Sequence, residues 1–172
     1  MRNSRGFTLL EVLLVATIAA VVAAFSLPMA LSAMRTYRLN AATREVSNQI
    51  AAMRLGAVTK NRAMRLRVNC PAAGMYRAVE WTGNATIDTA ANRCLTTAYP
   101  FPDLDPATAP NSDGPSRSLP QGITFSAFQE IHISTIGRIT PVSGGLPALI
   151  RVTDGTKTRQ LRITAAGQVQ IQ

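Results

Sequence analysis

The sequence is poor in the residue types that build metal and catalytic sites. It has one histidine, His132, and two cysteines, Cys70 and Cys94, among 172 residues. The cysteines do not form a Cys-x-x-Cys pair, and there is no Gly-x-Ser-x-Gly elbow or Walker A loop. Asp103 and Asp105 lie close together, but in a proline-rich segment where solvation is their expected role. The sequence therefore predicts no enzyme, no cofactor and no metal site.

Aromatic and acidic residues are also scarce. Aromatics make up 5% of the chain, so the core must consist mainly of aliphatic side chains and alanine. Nine acidic residues face eighteen basic ones, which gives a formal net charge of +9, and arginine dominates the basic set. Arginine forms fork-shaped hydrogen bonds to phosphate and carboxylate. The charge fits nucleic acid or anionic lipid as a partner, and it fits a solvated basic surface equally well.

The state of the two cysteines depends on the compartment. In an exported domain a disulfide between Cys70 and Cys94 is expected. It would close a loop of about two dozen residues and stabilise the fold by about 3 kcal/mol in the loop-entropy model. In a cytosolic domain both would be ordinary buried thiols. The N-terminal segment decides between these alternatives.

One long hydrophobic run is present, and it lies near the N-terminus. From Phe7 to Leu27 the chain carries a single charge, Glu11. As a helix this run spans about 30 Å, the thickness of a bilayer core. Arg2 and Arg5 precede it, so the positive-inside rule places the N-terminus in the cytoplasm and the rest of the chain outside.

Three interpretations of the run compete. A secretory signal peptide has a shorter apolar region, of about 7–15 residues, and the sequence at 31–33 is a weak cleavage site for one. A plain single-pass anchor leaves Glu11 at membrane depth without a role, although such a carboxylate is a functional hypothesis by default. The third interpretation accounts for the basic leader, the length of the run and the acid together.

Gly6-Phe7-Thr8-Leu9-Leu10-Glu11 resembles the cleavage motif of type IV prepilins and type II secretion pseudopilins. The resemblance implies that prepilin peptidase cuts between Gly6 and Phe7 and methylates the new amino terminus on Phe7. It also implies that Glu11 pairs with the amine of a neighbouring subunit during assembly. Two partly desolvated opposite charges would supply direction and register, since an unpaired carboxylate in low dielectric is costly.

The helix is predicted to continue to about residue 60. Apolar residues recur at steps of three and four, which makes one stripe that must pack on something. These residues are Leu39, Ala42, Val46, Ile50, Met53 and Ala57. Pro28 interrupts the hydrogen-bond ladder and favours a kink.

Short strands are predicted after the helix. An alternating pattern occurs at 64–68 and in the runs 149–153 and 159–164, and further short strands are predicted at 75–81, 123–128, 131–136 and 169–171. Asp154-Gly155 lies between two of them and predicts a hairpin. The segment 99–121 contains six prolines and is predicted to be a long surface loop. The fold class is therefore α+β, with a long N-terminal helix packed on a small antiparallel sheet.

The C-terminal half carries a narrower resemblance. The stretches 133–139, 150–155, 159–163 and 167–169 are similar to the C-terminal domain of the GspH/FimT family of minor pseudopilins and minor pilins, and Glu80-Trp81-Thr82-Gly83 echoes that family's Trp-Gly region. The family's usual basic residue after the last glycine is Gln168 here. The resemblance implies a minor filament subunit of a type IV pilus or a type II secretion pseudopilus.

DNA binding is the alternative function. Some members of that group act as DNA receptors in natural transformation, through a basic C-terminal region. The matching basic residues are Arg138, Arg151, Lys157, Arg159 and Arg162. Contacts to the backbone of double-stranded DNA are favoured, because aromatic residues for base stacking are missing there. Arg159 and Arg162 are expected on opposite faces of their strand, which counts against a single patch.

The predicted organisation has four parts. Residues 1–6 are a leader peptide, 7–28 a transmembrane and assembly helix, 29–60 its amphipathic continuation, and 61–172 a β-rich domain. The expected location is the bacterial inner membrane, single-pass with the domain in the periplasm, and then the filament. The expected partners are other pilin or pseudopilin subunits, prepilin peptidase and inner-membrane lipid, with double-stranded DNA as the alternative partner.

Overall fold

The computed structural model describes residues 8–105 and 107–172. The predicted leader and Phe7 therefore lie outside the described residues. A 51-residue helix opens the described chain, and nine strands and one short helix follow. These elements are α1 Leu9–Thr59, β1 Met64–Val68, β2 Met75–Glu80, α2 Ala85–Asp88, β3 Ser116–Ser118, β4 Thr124–Phe128, β5 Ile131–Ile133, β6 Ile139–Pro141, β7 Ala148–Thr153, β8 Thr158–Ile163 and β9 Val169–Ile171.

The chain divides into two compact units, residues 1–37 and residues 38–172. Within the first unit every described residue from 8 to 35 is exposed, and α1 runs through Pro28 without a break. Proline has no backbone N–H to donate, so one hydrogen bond of the helix ladder is missing there.

In the second unit α1 packs through the predicted stripe. All six predicted residues are buried, and Thr43 is buried with them. The Thr43 hydroxyl donates to the Leu39 carbonyl at 2.7 Å, so its polar atom is satisfied within the helix. The stripe belongs to one hydrophobic core that also contains the inward side chains of both sheets. The α+β prediction is confirmed.

The predicted single sheet is in fact two antiparallel sheets. The first sheet has the order β3-β2-β1-β5-β6, and the second sheet has the order β4-β7-β8-β9. Splitting the strands lets the inward residues of both sheets, such as Leu66 and Ile150, reach the same core. The strand predicted at 131–136 ends at Ile133, because the next four residues form a turn in which Gly137 donates to the Ser134 carbonyl.

The proline-rich segment is more structured than predicted. It contains the edge strand β3, directly after Pro115, and β3 pairs with β2. It is also fixed to the first sheet by charged contacts. Arg77 of β2 is fully buried and donates to the carbonyls of Cys94, Tyr99 and Gly114. A loop whose carbonyls satisfy a buried guanidinium cannot leave the sheet without a large cost.

A buried ion pair completes this attachment. Arg93, fully buried, forms a salt bridge with Asp113 and donates to the Glu80 carbonyl. The Glu80 carboxylate, itself 3% exposed, accepts from the backbone N–H groups of Asn111 and Ser112. We call residues 81–105 and 107–115 the polar cover. It is fixed to β2 by the hydrogen bonds of Arg77 and by the Arg93–Asp113 ion pair.

The Cys70–Cys94 disulfide predicted for an exported domain is present, with a Cα–Cα distance of 5.6 Å. It links the end of the β1 region to the polar cover, next to Arg93. The covalent bond and the ion pair therefore act on the same segment.

Candidate assembly and binding surfaces

The N-terminus of α1 is closed by a reciprocal cap. Thr8 donates to Glu11 through its backbone N–H, at 3.1 Å, and through its hydroxyl, at 3.2 Å. The Glu11 N–H in turn donates to the Thr8 hydroxyl oxygen at 3.3 Å. This is a capping box, in which the first helical N–H groups and the carboxylate satisfy each other. The acid that was predicted to direct assembly is thus held by its own chain.

The first unit presents an apolar surface on all sides of α1. Leu9, Leu13, Val21 and Phe25 are each more than half exposed. Among the described residues α1 is long and apolar enough to cross a membrane. Its most hydrophobic stretch is entirely unburied. Such a surface needs lipid or other helices around it, because apolar area in water is unfavourable.

The predicted basic residues do not all lie together. Arg151 and Arg162 are exposed on the outer face of the second sheet, on the adjacent strands β7 and β8. Arg162 pairs with Leu149, and Arg151 pairs with Gln160, so the two arginines are diagonal neighbours. The four strands of this sheet contain no Asp or Glu.

The other three basic residues lie elsewhere. Arg159 points to the opposite side of β8 from Arg162, as expected, and its Nε donates to Oδ1 of Asn40 in α1 at 3.0 Å. Lys157 ends the β7–β8 turn, beside Asp154. Hydrogen bonds from the N–H groups of Lys157 and Thr156 lower the pKa of Asp154 to about 2, so Asp154 is ionised at neutral pH and offsets the charge of Lys157.

Arg138 belongs to the β5–β6 turn of the first sheet, and it is exposed. This turn has a counterpart that sequence inspection missed. In the β5–β6 turn, the Gly137 N–H donates to the Ser134 carbonyl, and the Ser134 N–H donates to the Arg138 carbonyl. The β8–β9 turn has the same two bonds: the Gly167 N–H donates to the Thr164 carbonyl, and the Thr164 N–H donates to the Gln168 carbonyl. The sequence signal for this pair of turns is the Ser/Thr-x-x-Gly spacing, which occurs twice, 30 residues apart.

Both turns meet Arg54 of α1. Its Nε donates to the Gly137 carbonyl at 2.9 Å. A Cβ placed on Gly167 would lie 2.8 Å from Arg54 Cδ, closer than real atoms approach. Both glycines have positive φ, +77° and +81°, which side chains rarely tolerate. The repeated glycines therefore allow the two turns to enclose one arginine.

A second polar cluster lies on the outer side of the first sheet. Arg65 forms a salt bridge with Glu130, and its guanidinium lies 5.2 Å from the centre of the Trp81 ring. His132 contacts the same ring edge to face, with 5.5 Å between centroids, and its Nε2 is buried without a hydrogen-bond partner. Burial, and then the nearby Arg65 charge, lower the pKa of His132. Neutral imidazole is the form that this site favours.

Within the described ranges, no group of three or more His, Cys, Asp or Glu side chains is placed to hold a metal ion. The titratable groups that do come together, such as Arg93 and Asp113, are ion pairs within the fold.

In a comparison with known families, a model described as the prokaryotic N-terminal methylation motif matches residues 1–27. No curated protein and no solved structure matches the chain. The motif, the long apolar helix and the small β domain together fit a type IV pilin-like protein. The motif supports processing by prepilin peptidase and interaction with other pilins, and the apolar helix suits membrane anchoring.

Proposed function

We propose that this chain is a structural subunit of a type IV pilus or a type II secretion pseudopilus. The single observation that carries the proposal is the methylation motif at 1–27, continued by a helix whose first half is exposed and apolar on every side. In this proposal the peptidase cuts after Gly6 and methylates Phe7. The subunit waits in the inner membrane, single-pass and with its β domain in the periplasm, before it enters the filament.

Glu11 changes partners in this scheme. In the isolated chain its carboxylate accepts from the Thr8 N–H and hydroxyl. In the filament the methylated amine of a neighbouring subunit offers a full positive charge. A charge-assisted hydrogen bond is about twice as strong as a neutral one, so the exchange favours the assembled state. Thr8 keeps the carboxylate hydrogen-bonded in the membrane until that partner arrives.

The subunit is proposed to be a minor one of the GspH/FimT type. Support comes from the C-terminal pattern, which corresponds in the fold to the β5–β6 turn, the β7–β8 hairpin and the β8–β9 turn. The glycines of that pattern, Gly137 and Gly167, enclose Arg54.

Substitution of Glu11 tests the assembly step. Glu11→Ala is expected to leave leader cleavage intact and to reduce incorporation into sheared filaments about tenfold or more, since one charged pairing is worth at least about 1.4 kcal/mol. Thr8→Val is the matched control, because it removes the side chain of the cap but keeps the carboxylate. Normal incorporation of Glu11→Ala would contradict the proposal.

Binding of double-stranded DNA is the second candidate function. The observation that favours it is the exposed pair Arg151 and Arg162 on a sheet face without carboxylates. Two guanidiniums at diagonal positions can each contact one of two adjacent phosphates of the DNA backbone. Such contacts give affinity without recognising the base sequence. Arg159, which is bonded to Asn40, and the β7–β8 turn, which carries the Asp154 charge, contribute less to such a face.

Duplex binding by the full chain in detergent tests this second function. Replacing Arg151 and Arg162 together with alanine is expected to lower the slope of log affinity against log salt by about 2, because each phosphate contact adds about 0.9. Arg138→Ala is the control, since it removes an exposed arginine from the first sheet, outside the proposed face. Binding that is equal in all three proteins would exclude the proposed face.

A further inference from the structure

The second unit has an exposed apolar surface with an arginine at its centre. We call it the Arg54 patch, formed by Arg54, Leu55, Val58 and Ile136. Leu55 is 66% exposed and Ile136 is 80% exposed. A Cβ on Gly137 would lie 3.1 Å from Val58 Cγ2, so the turn that carries Ile136 rests against this part of α1. Large apolar side chains grouped in this way indicate an interaction site.

The Arg54 side chain is oriented by backbone contacts. The Gly137 carbonyl fixes its Nε, and the Gly167 backbone lies against its stem. None of the salt bridges among residues 8–105 and 107–172 involves Arg54. An arginine whose orientation is already fixed loses less freedom when it binds a carboxylate through its terminal nitrogens.

A surface of complementary character occurs in the polar cover. We call it the Leu104 loop, formed by Phe101 to Asp105. Leu104 is 84% exposed and Phe101 is 52% exposed. The Asp105 carboxylate is also exposed, and its position is fixed because it accepts from the Ala107 N–H and the Thr108 hydroxyl. The loop therefore combines apolar side chains with two carboxylates, of which Asp103 accepts from the Asp105 N–H and Asp105 is the exposed one.

The two surfaces lie on different flanks of α1. Successive helical residues are about 100° apart, so Arg54, Leu55 and Val58 fall on one flank and Ala52 and Gly56 on another. Phe101 lines a shallow groove with Ala52 and Gly56. Gly167 lines a groove with Arg54 and Val58. One copy cannot easily bring the Leu104 loop to its own Arg54 patch, whereas two copies can.

We propose that the Arg54 patch of one copy binds the Leu104 loop of a second copy of this chain. Asp105 pairs with Arg54, while Leu104 and Phe101 cover Leu55, Val58 and Ile136. Because the two surfaces differ, the contact is heterologous and does not close on itself, so a pair of copies keeps one free Arg54 patch and one free Leu104 loop. The inference rests on the proposed function for its setting in a filament, but the contact itself can be measured separately.

Cysteine cross-linking between two tagged copies of the full chain tests the contact. One copy carries Leu104→Cys and the other carries Ile136→Cys, and they are co-expressed and oxidised in membranes. A cross-linked dimer with both tags is expected. Val142→Cys in place of Ile136→Cys is the control, because Val142 is an apolar residue of the same unit, 45% exposed, outside the patch; each yield is compared with the maleimide labelling of its own cysteine. An equal yield with Val142→Cys, or no dimer with Ile136→Cys, overturns the proposal.

Charge exchange provides the second test. Arg54→Glu in the Ile136→Cys copy is expected to lower the cross-linking yield about tenfold, and Asp105→Arg in the Leu104→Cys copy is expected to do the same. The two changes together are expected to restore it. Since the changes lie on opposite surfaces, misfolding cannot explain restoration. Yields that do not respond to either charge contradict the pairing.

The outcomes separate this inference from the proposed function. If filaments incorporate the chain in a Glu11-dependent way but the cross-link is missing, the contact between copies is wrong and the subunit function stands. If the cross-link forms in membranes but the chain never enters a filament, the contact stands and the proposed function fails.

Discussion

The first half of α1 is much richer in aliphatic residues than the second, yet it is the second half that is buried within its unit. No described residue from 8 to 35 is buried, whereas seven residues between Leu39 and Ala57 are buried against the sheets. The first half carries one charge, and the second carries several arginines away from its buried stripe. The difference shows that apolar residues alone do not define a core. The second half finds its packing partners within the chain, and the first half must find them in lipid or in other subunits.

The largest effect is expected in the polar cover, which has no equivalent in the first unit. Asp113→Ala leaves Arg93 fully buried without its partner. Loss of one member of a buried pair costs about 3–5 kcal/mol. We expect the free energy of unfolding to fall by that amount in urea denaturation, while membrane flotation of the chain stays unchanged. A fall below about 1 kcal/mol would mean that the pair is solvated in solution.

The buried stripe can be compared directly with the exposed half. Ile50→Ala removes a fully buried side chain and is expected to lower the free energy of unfolding by about 2–5 kcal/mol. Ile18→Ala is its control on the same helix, at a residue that is 56% exposed. Urea denaturation of the two variants should differ by most of that amount. Equal losses would show that the two halves are not distinct.

A charge in each half gives the complementary comparison. Ala19→Arg places a cation in the apolar run and is expected to disfavour membrane insertion by about 2.5–3.5 kcal/mol. Ala41→Arg, at an exposed residue of the second unit, should have little effect. The membrane-inserted fraction of each variant can be measured by flotation. If Ala41→Arg lowers that fraction as much as Ala19→Arg does, the boundary between the halves is misplaced.

The smallest effect concerns His132, which belongs to the second unit alone. Its folded pKa lies below the ordinary 6.5, so the unfolded chain binds a proton first as the pH falls. Above pH 6.5 the group has no effect, and below it stability falls by at most about 1.4 kcal/mol per pH unit until the folded pKa is reached.

The measurement is the urea midpoint at about pH 7.5 and about pH 5.5, chosen to lie on either side of the unfolded pKa. His132→Gln is expected to show a smaller loss on acidification than the unsubstituted chain. An identical loss in both proteins would assign the acid sensitivity to other groups.

Periodicity predicted the elements that have one buried face. The stripe from Leu39 to Ala57 and the alternating strand β7 follow directly from burial on one side. Local turn chemistry predicted the β7–β8 hairpin from Asp154-Gly155. These features depend on neighbours in the sequence, so the sequence shows them.

Contacts between distant residues were not predictable in the same way. Arg93 and Asp113 are separated by 20 residues, and Arg54 and Gly137 by 83. A proline-rich composition indicated a loop, but it carried no signal for the buried arginines that fix the loop. The three-residue strands β3 and β6 were not predicted, whereas β9, of the same length, was. β3 lies in the proline-rich segment and β6 ends at Pro141, and proline disfavours strands. The predicted basic face likewise depended on strand pairing, which assigned Arg159 to α1 and left Arg151 and Arg162 together.

The N-terminus of the chain isolated from sheared filaments is the most direct test of the central claim. Mass spectrometry of that fraction is expected to find a first residue of Phe7 carrying one methyl group on its amine. A chain that still begins at Met1, or one cleaved after Ala33 as a secretory signal peptide would be, would contradict the claim that this protein is a processed, pilin-like filament subunit.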